Sequence, residues 1–309
     1  YWYSLAARKA AVEMGLRPVV SYVALDHNDH EETERQKEQM QEVYEKSLAM
    51  KDNGIFETAI HAIYSTSEEL MLWVTEFARN HGLKIHIHIS ETEKEVADCK
   101  ELHGGLSPVE YLDRLGILGP DVLAAHTLWL SDNDIDILGK HQVNCVHNIN
   151  SNAKLASGYK FRYNELRDAG ANVCIGTDGC ASSNNLDMLE ECRAAAMLHK
   201  ATTFDPLVVP AKKAWEMATV DGAKTLGFAD TGLLEAGQQA DIVLWDMHKP
   251  YWYPRHNKLS QLVYAASSTD ADTVFVAGKK VVEAGKLLTF DEEKIYAEAE
   301  ACTRKLLNK

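Results

Sequence analysis

The run Val173-Cys174-Ile175-Gly176-Thr177-Asp178-Gly179 ends an apolar stretch abruptly on one carboxylate. Polar residues follow, then a helical pattern from Leu186-Asp187-Met188 onward. This spacing predicts Asp178 at the C-terminal mouth of a buried strand. In parallel α/β folds that end carries ligands and chemistry. Asp178 reads in two ways: as the cap of the next helix, or as a metal ligand that also takes a proton from water. Lys84-Ile85-His86-Ile87-His88-Ile89-Ser90-Glu91 is a second such end. Strand alternation puts Lys84, His86, His88 and Ser90 on one face and the isoleucines on the other. Two imidazoles so spaced can share a metal ion, or can be hydrogen-bonded core histidines. Glu91 lies within reach of anything held by His88. A third end, Leu123-Ala124-Ala125-His126, offers an imidazole that either serves the same site or bonds its own loop. His61 ends another apolar run and could touch a ligand. His147 is placed similarly but reads as structural, with Asn148, Ser151 and Asn152 bracing its loop.

Elements that could position these residues recur along the chain. Strands are predicted at Pro18–Leu25, Ile55–Tyr64, Leu83–Ser90, Val122–His126, Gln142–His147 and Asn172–Thr177. Amphipathic segments lie near 31–52, 67–81, 92–115, 131–140, 162–169 and 186–200. Ser131 with Asp134 reads as a helix start, and Gly82 and Gly170 as helix stops. The rhythm predicts β/α units on a parallel sheet. Six units fit an open doubly wound sheet. They also fit part of a closed (β/α)₈ barrel whose first two units lie ahead of Tyr1. Polar residues at several strand ends favour the barrel. After residue 228 the pattern turns to β-pieces, with a hairpin over Thr273–Val282 and a final helix over Asp291–Leu307. Domains are therefore expected at 1–228 (partial barrel), 229–290 (small β-domain) and 291–309 (C-terminal helix).

Bulk properties exclude some classes. The 309 residues are 46% hydrophobic and 25% charged, ordinary for a globular protein. A net charge of -14 argues against nucleic acid or an anionic membrane as partner. No apolar run reaches the ~18 residues of a membrane span. Six cysteines without a Cys-x-x-Cys pair point to a reducing cytoplasm. The Asp29–Glu45 stretch reads as a solvated helix face, and Tyr251-Trp252-Tyr253-Pro254 as packing under a loop.

Taken together, the motifs resemble the amidohydrolase superfamily, and within it the S-adenosylhomocysteine / 5'-methylthioadenosine / 5'-deoxyadenosine deaminases. The resemblance rests on His61-Ala62-Ile63-Tyr64, His88-Ile89-Ser90-Glu91-Thr92, Ala125-His126-Thr127-Leu128-Trp129-Leu130, and the stretch from His147-Asn148 to Ser157-Gly158. It continues through Gly176–Met188, Gly232–Asp246 and Pro254-Arg255-His256-Asn257. It implies a distorted TIM barrel flanked by a small β-sandwich built from both chain ends, residues 229–290 being its C-terminal half. It implies one divalent metal, usually zinc and sometimes iron, with His88 and Asp178 as ligands. His126 would orient the attacking hydroxide, Glu91 would protonate the purine ring, Asp178 would take the proton from water, and His61 would contact substrate. The implied partner is a small purine nucleoside, with no nucleic acid or membrane, and a homo-oligomer is compatible.

The implied reaction is hydrolytic deamination of the 6-aminopurine to an inosine analogue and ammonia. Guanine or cytosine deamination and triazine hydrolysis are the alternatives within the superfamily, and an inactive barrel or binding protein is the alternative outside it. The family's His-x-His pair on its first barrel strand has no match here, so the chain alone is expected to bind metal weakly and to lack turnover. Ile149 stands where a loop proline is expected. Arg35 is a candidate partner for an amino-acid tail.

Overall fold

The computed structural model describes residues 3–307. Six parallel strands form one sheet: β1 (Val19–Ala24), β2 (Ile55–Ala62), β3 (Ile85–Ile89), β4 (Val122–His126), β5 (Asn144–His147) and β6 (Asn172–Ile175). They stand in strict sequence order, each paired only with its chain neighbours, so β1 and β6 are the edges among the described residues. The order lacks the reversal of a doubly wound sheet, so the doubly wound topology does not fit. All six predicted strands form. Their cause is visible in β3, where Ile85, Ile87 and Ile89 are fully buried against the covering helices. Each such burial contributes about 1.5–3 kcal/mol relative to an exposed side chain. The opposite face carries His86 and His88.

The crossover helices start and stop on local chemistry. Asp29 caps His30–Ala49, accepting from the Glu31 and Glu32 amides. Ser67 caps Glu68–His81 and Ser131 forms a capping box with Asp134 ahead of Asp132–Lys140. Gly82 and Gly170 end their helices in the left-handed conformation, at φ 67° and 105°. The stretch 92–115 is two helices, Glu93–Leu102 and Pro108–Arg114, not one. It breaks at Gly104-Gly105, and Ser107-Pro108 supplies a fresh start. A short helix, Ile149–Lys154, occupies what had read as a bracing loop. Helices Ser4–Glu13, Ala211–Ala218 and Val220–Leu226 also fall outside the predicted pattern.

Helix Asp132–Lys140 lies close on Tyr163–Ala169. At Gly139 a methyl group would run into the Ala169 carbonyl. Gly139→Ala is therefore expected to destabilise by about 1–3 kcal/mol through overpacking. A lowered guanidinium unfolding midpoint is the readout, and an unchanged midpoint would contradict this packing.

Beyond the parallel sheet, β7 (Ile242–Trp245), β8 (Ala271–Val276), β9 (Lys279–Glu283) and β10 (Lys286–Leu287) form an antiparallel sheet in the order β10-β9-β8-β7. The predicted hairpin is β8–β9, turning through Ala277-Gly278 at φ 48° and 78°. Trp252 is buried as packing, and Asp29–Glu45 is largely a solvated face. The last helix, Glu292–Leu306, buries none of its residues. Among the described residues no helix is long and apolar enough to cross a membrane.

Candidate active site

The C-terminal ends of β2, β3, β4 and β6 bring the chemistry-bearing residues together. His88, near the end of β3, has Nδ1 2.6 Å from the carbonyl oxygen of His61. A carbonyl only accepts, so Nδ1 carries the proton and Nε2 keeps a bare lone pair. This is how a metal-binding imidazole is oriented by an outer partner. His61 thus serves through its backbone, which the sequence did not reveal. Its own ring packs edge-on to His88 at 5.2 Å, with Nδ1 2.7 Å from the Ser65 hydroxyl. Burial, then His88 and His27, push the His61 imidazole below its ordinary pKa, against a weaker opposing pull from Glu91.

His126 closes β4 and is almost wholly buried. Its ring stacks on His88 at 5.3 Å. Its Nδ1 is 2.8 Å from the Asn152 amide nitrogen, and its Nε2 is 3.6 Å from a Glu91 carboxylate oxygen. With Asn152 donating, the proton of the neutral ring sits on Nε2 and faces Glu91. Burial pushes the His126 pKa down, while the Glu91 and Asp178 carboxylates oppose it. Glu91 also accepts from the Ser157 hydroxyl at 2.9 Å. Ser157 is held in turn, its carbonyl accepting from the Trp129 indole N–H at 2.7 Å.

Asp178 lies beyond β6. One carboxylate oxygen accepts from the Ser151 hydroxyl and the other from the Gly179 amide, each at 2.6 Å. Burial pushes its pKa up, but Ser151, Gly179 and the His126 and His88 imidazoles outweigh it and hold the carboxyl below its ordinary value. Asp178 does not cap the following short helix. Gly176 is small because a Cβ there would meet the Asn148 amide oxygen at 2.8 Å. Ser151 and Asn152, on the short helix Ile149–Lys154, therefore orient Asp178 and His126.

His61, His86, His88 and Asp178 line one cavity of about 520 Å³. Backbone strain recurs where β3, β4 and β6 run out: Ser90, His126 and Asp178 adopt φ of 52°, 76° and 59°, left-handed values that non-glycine residues seldom take. His147 is buried and stacked on Phe161 at 4.1 Å, consistent with its structural reading. Arg35 is tied to Glu32 on an exposed helix face.

In donor chemistry, the His88 lone pair and the Asp178 carboxylate suit a divalent cation such as zinc. Among the described residues no three His, Cys, Asp or Glu side chains converge closely enough to hold one together. A catalytic zinc typically takes three protein ligands and keeps one position open.

A second layer of carboxylates had escaped the sequence reading. Glu95 and Glu191 are buried. Glu95 accepts from the Ser90 and Glu91 amides at 2.8 and 2.7 Å. Glu191 accepts from the Asn150 amide at 3.3 Å, at the start of the helix carrying Ser151 and Asn152. Burial pushes both carboxyls up to about 7, against those hydrogen bonds. The Thr92-x-x-Glu95 spacing was the available signal, as a helix-start pattern.

The relatives of this chain fit the geometry. The 5'-deoxyadenosine deaminase of Methanopyrus kandleri is 43% identical over 306 residues, covering 99% of this chain and 70% of the relative. The 5-methylthioadenosine/S-adenosylhomocysteine deaminase of Pelotomaculum thermopropionicum is 46% identical over 249 residues, covering 81% of this chain and 57% of the relative. A zinc-bound adenosine deaminase from Xanthomonas campestris superposes with a TM-score of 0.91 at 32% identity, covering all of this chain and 70% of that one. Atrazine chlorohydrolase TrzN from Arthrobacter aurescens TC1 shares the fold, with a TM-score of 0.87 at 23% identity, covering 96% of this chain and 68% of that one. The family model for amidohydrolases matches residues 2–281, spanning all six parallel strands, and the chain belongs to the amidohydrolase family.

Proposed function

We propose that this protein hydrolytically deaminates a 6-aminopurine nucleoside, of the 5'-deoxyadenosine, 5'-methylthioadenosine or S-adenosylhomocysteine class, to the inosine analogue and ammonia. The observation that carries the reading is one group: Glu91 beside His126, His126 stacked on His88, and Asp178 lining the same cavity as His88. The names of the archaeal and bacterial relatives support it. The six β/α units are read as an arc of a (β/α)₈ barrel, and β7–β10 as half of a composite sandwich. Their unbroken sequential order supports this.

His88 and Asp178 would hold a divalent cation, zinc first and iron second. Such a cation lowers the pKa of water to about 7. Asp178 takes a proton from the water that attacks carbon 6. Glu91 donates a proton to the adjacent ring nitrogen, so negative charge does not accumulate there during attack. His126 directs its Nε2–H at the oxygen of the tetrahedral carbon. The proton held by Asp178 passes to the amine, the carbon–nitrogen bond breaks, ammonia leaves, and a carbonyl remains. The ring nitrogen keeps the proton it received, and the proton that the oxygen sheds as the carbonyl forms restores Glu91 to its acid form. His61 holds His88 through its carbonyl and presents its ring to the substrate.

The test is ammonia release by the zinc-loaded protein, as this chain and within any longer polypeptide that carries it. Adenosine analogues are expected to turn over, and chelation to abolish the activity. Turnover of guanine, cytosine or melamine instead would replace this reading with another amidohydrolase reaction. No turnover in any form would leave a binding protein.

A further inference from the structure

We propose that Glu95 is a positioning residue for Glu91, its carboxylate gripping the two backbone amides that set where the Glu91 side chain points. The inference rests on Glu91 being the proton donor. A glutamate three residues after a helix cap ordinarily reaches back to the cap's own amide. Thr92 is the cap here, and its hydroxyl does accept from the Glu95 amide at 3.1 Å. The Glu95 carboxylate, however, passes Thr92 and bonds the two residues before it. One oxygen accepts from Ser90 at 2.8 Å and the other from Glu91 at 2.7 Å.

That arrangement has a local reason. Ser90 sits at φ 52°, so the chain leaves β3 through a left-handed bend that a β-rich sequence would not choose alone. Both amides released by the bend point to one buried carboxylate. Across the bend, the Ser90 carbonyl accepts from the Leu128 and Trp129 amides at 3.1 and 3.0 Å. The proton donor is therefore fixed at its backbone by Glu95 and at its tip by Ser157. A neutral carboxyl or an amide has one good acceptor oxygen and would hold only one of the two N–H groups.

The titratable groups facing Glu95 are Glu91, the Tyr64 phenol from beyond β2, and Cys99 one turn along its own helix. None is a cation, so burial dominates and the carboxyl is pushed up to about 7. The grip is thus full above pH 7 and weakens below it.

Glu95→Gln in the zinc-loaded full chain, within its longer polypeptide if activity requires one, is the test. Turnover should fall about 10- to 100-fold, the size typical of losing an outer partner, with KM changed little. Hydrogen exchange at the Ser90 or Glu91 amide should accelerate. The wild-type acid limb of kcat with a midpoint near pH 7 should vanish in the variant. Unchanged turnover beside an active wild type, or unchanged exchange at both amides, overturns the proposal. Faster exchange with normal kcat and pH profile also overturns it, leaving Glu95 a structural staple. An inactive wild type would instead sink the deaminase reading, and amide exchange alone then decides whether the grip exists.

Discussion

Asp178→Asn is expected to lower turnover by at least about 10³-fold, within the range for loss of a general base, and to lower zinc content as well. The substitution keeps size and shape. An asparagine oxygen can still accept from Ser151, so the loop carrying it should remain in place. What disappears is the charge. On the proposed mechanism that charge both holds the cation and receives the proton of the attacking water. The carboxylate is suited to both tasks, because Ser151, Gly179 and two imidazoles keep it ionised despite partial burial. Steady-state kinetics with elemental analysis checks the two losses together. Normal zinc with normal kcat would remove Asp178 from the site.

Glu91→Gln should separate what Asp178→Asn combines. Glutamine preserves the contact with Ser157 and the backbone grip of Glu95. It cannot give up a proton on the timescale of the reaction. The expected outcome is a kcat lower by about 10²–10⁴-fold at unchanged zinc stoichiometry. A near-normal rate would show that another group protonates the ring. Loss of zinc in this variant would mean that Glu91 belongs to the ligand set.

The pH dependence of stability has a defined sign at the two buried glutamates. Glu95 and Glu191 have folded-state values of about 7 against an ordinary 4.5. Below 4.5 both states hold the proton and nothing is lost. Between 4.5 and 7 the unfolded chain ionises freely while the folded chain resists, so stability falls as pH rises through that window. Above 7 the loss is complete. The acceptor geometry, by contrast, is best satisfied by the ionised form at Glu95. Fold and proposed function therefore prefer opposite charge states of the same carboxyl.

The strands and most site residues were legible because their causes are local. Ile85, Ile87 and Ile89 alternate with His86 and His88, and that alternation decides which face holds chemistry. Ser131 and Asp134 capped the helix that their spacing announced. The remainder depends on contacts distant in sequence. Ile149–Lys154 looked like a loop because its polar side chains were assigned to turns. Ser151 and Asn152 instead bond Asp178 and His126, residues 27 and 26 positions away. Glu95 and Glu191 stand among acidic neighbours in the first turns of their helices, and only the packed structure reveals their burial. The His61 carbonyl could not be foreseen, since every residue has one. The break at Gly104-Gly105 was readable and was passed over in favour of a longer periodic segment.

The left-handed bends at Ser90, His126 and Asp178 tie three catalytic candidates to one vulnerability. No residue there would hold its conformation unaided; Ser90 is held by Glu95, His126 by Asn152 and Asp178 by Ser151, all from short neighbouring helices. On mild warming, turnover is therefore expected to fade before the helical signal does, a separation that residual activity set against far-ultraviolet circular dichroism would reveal.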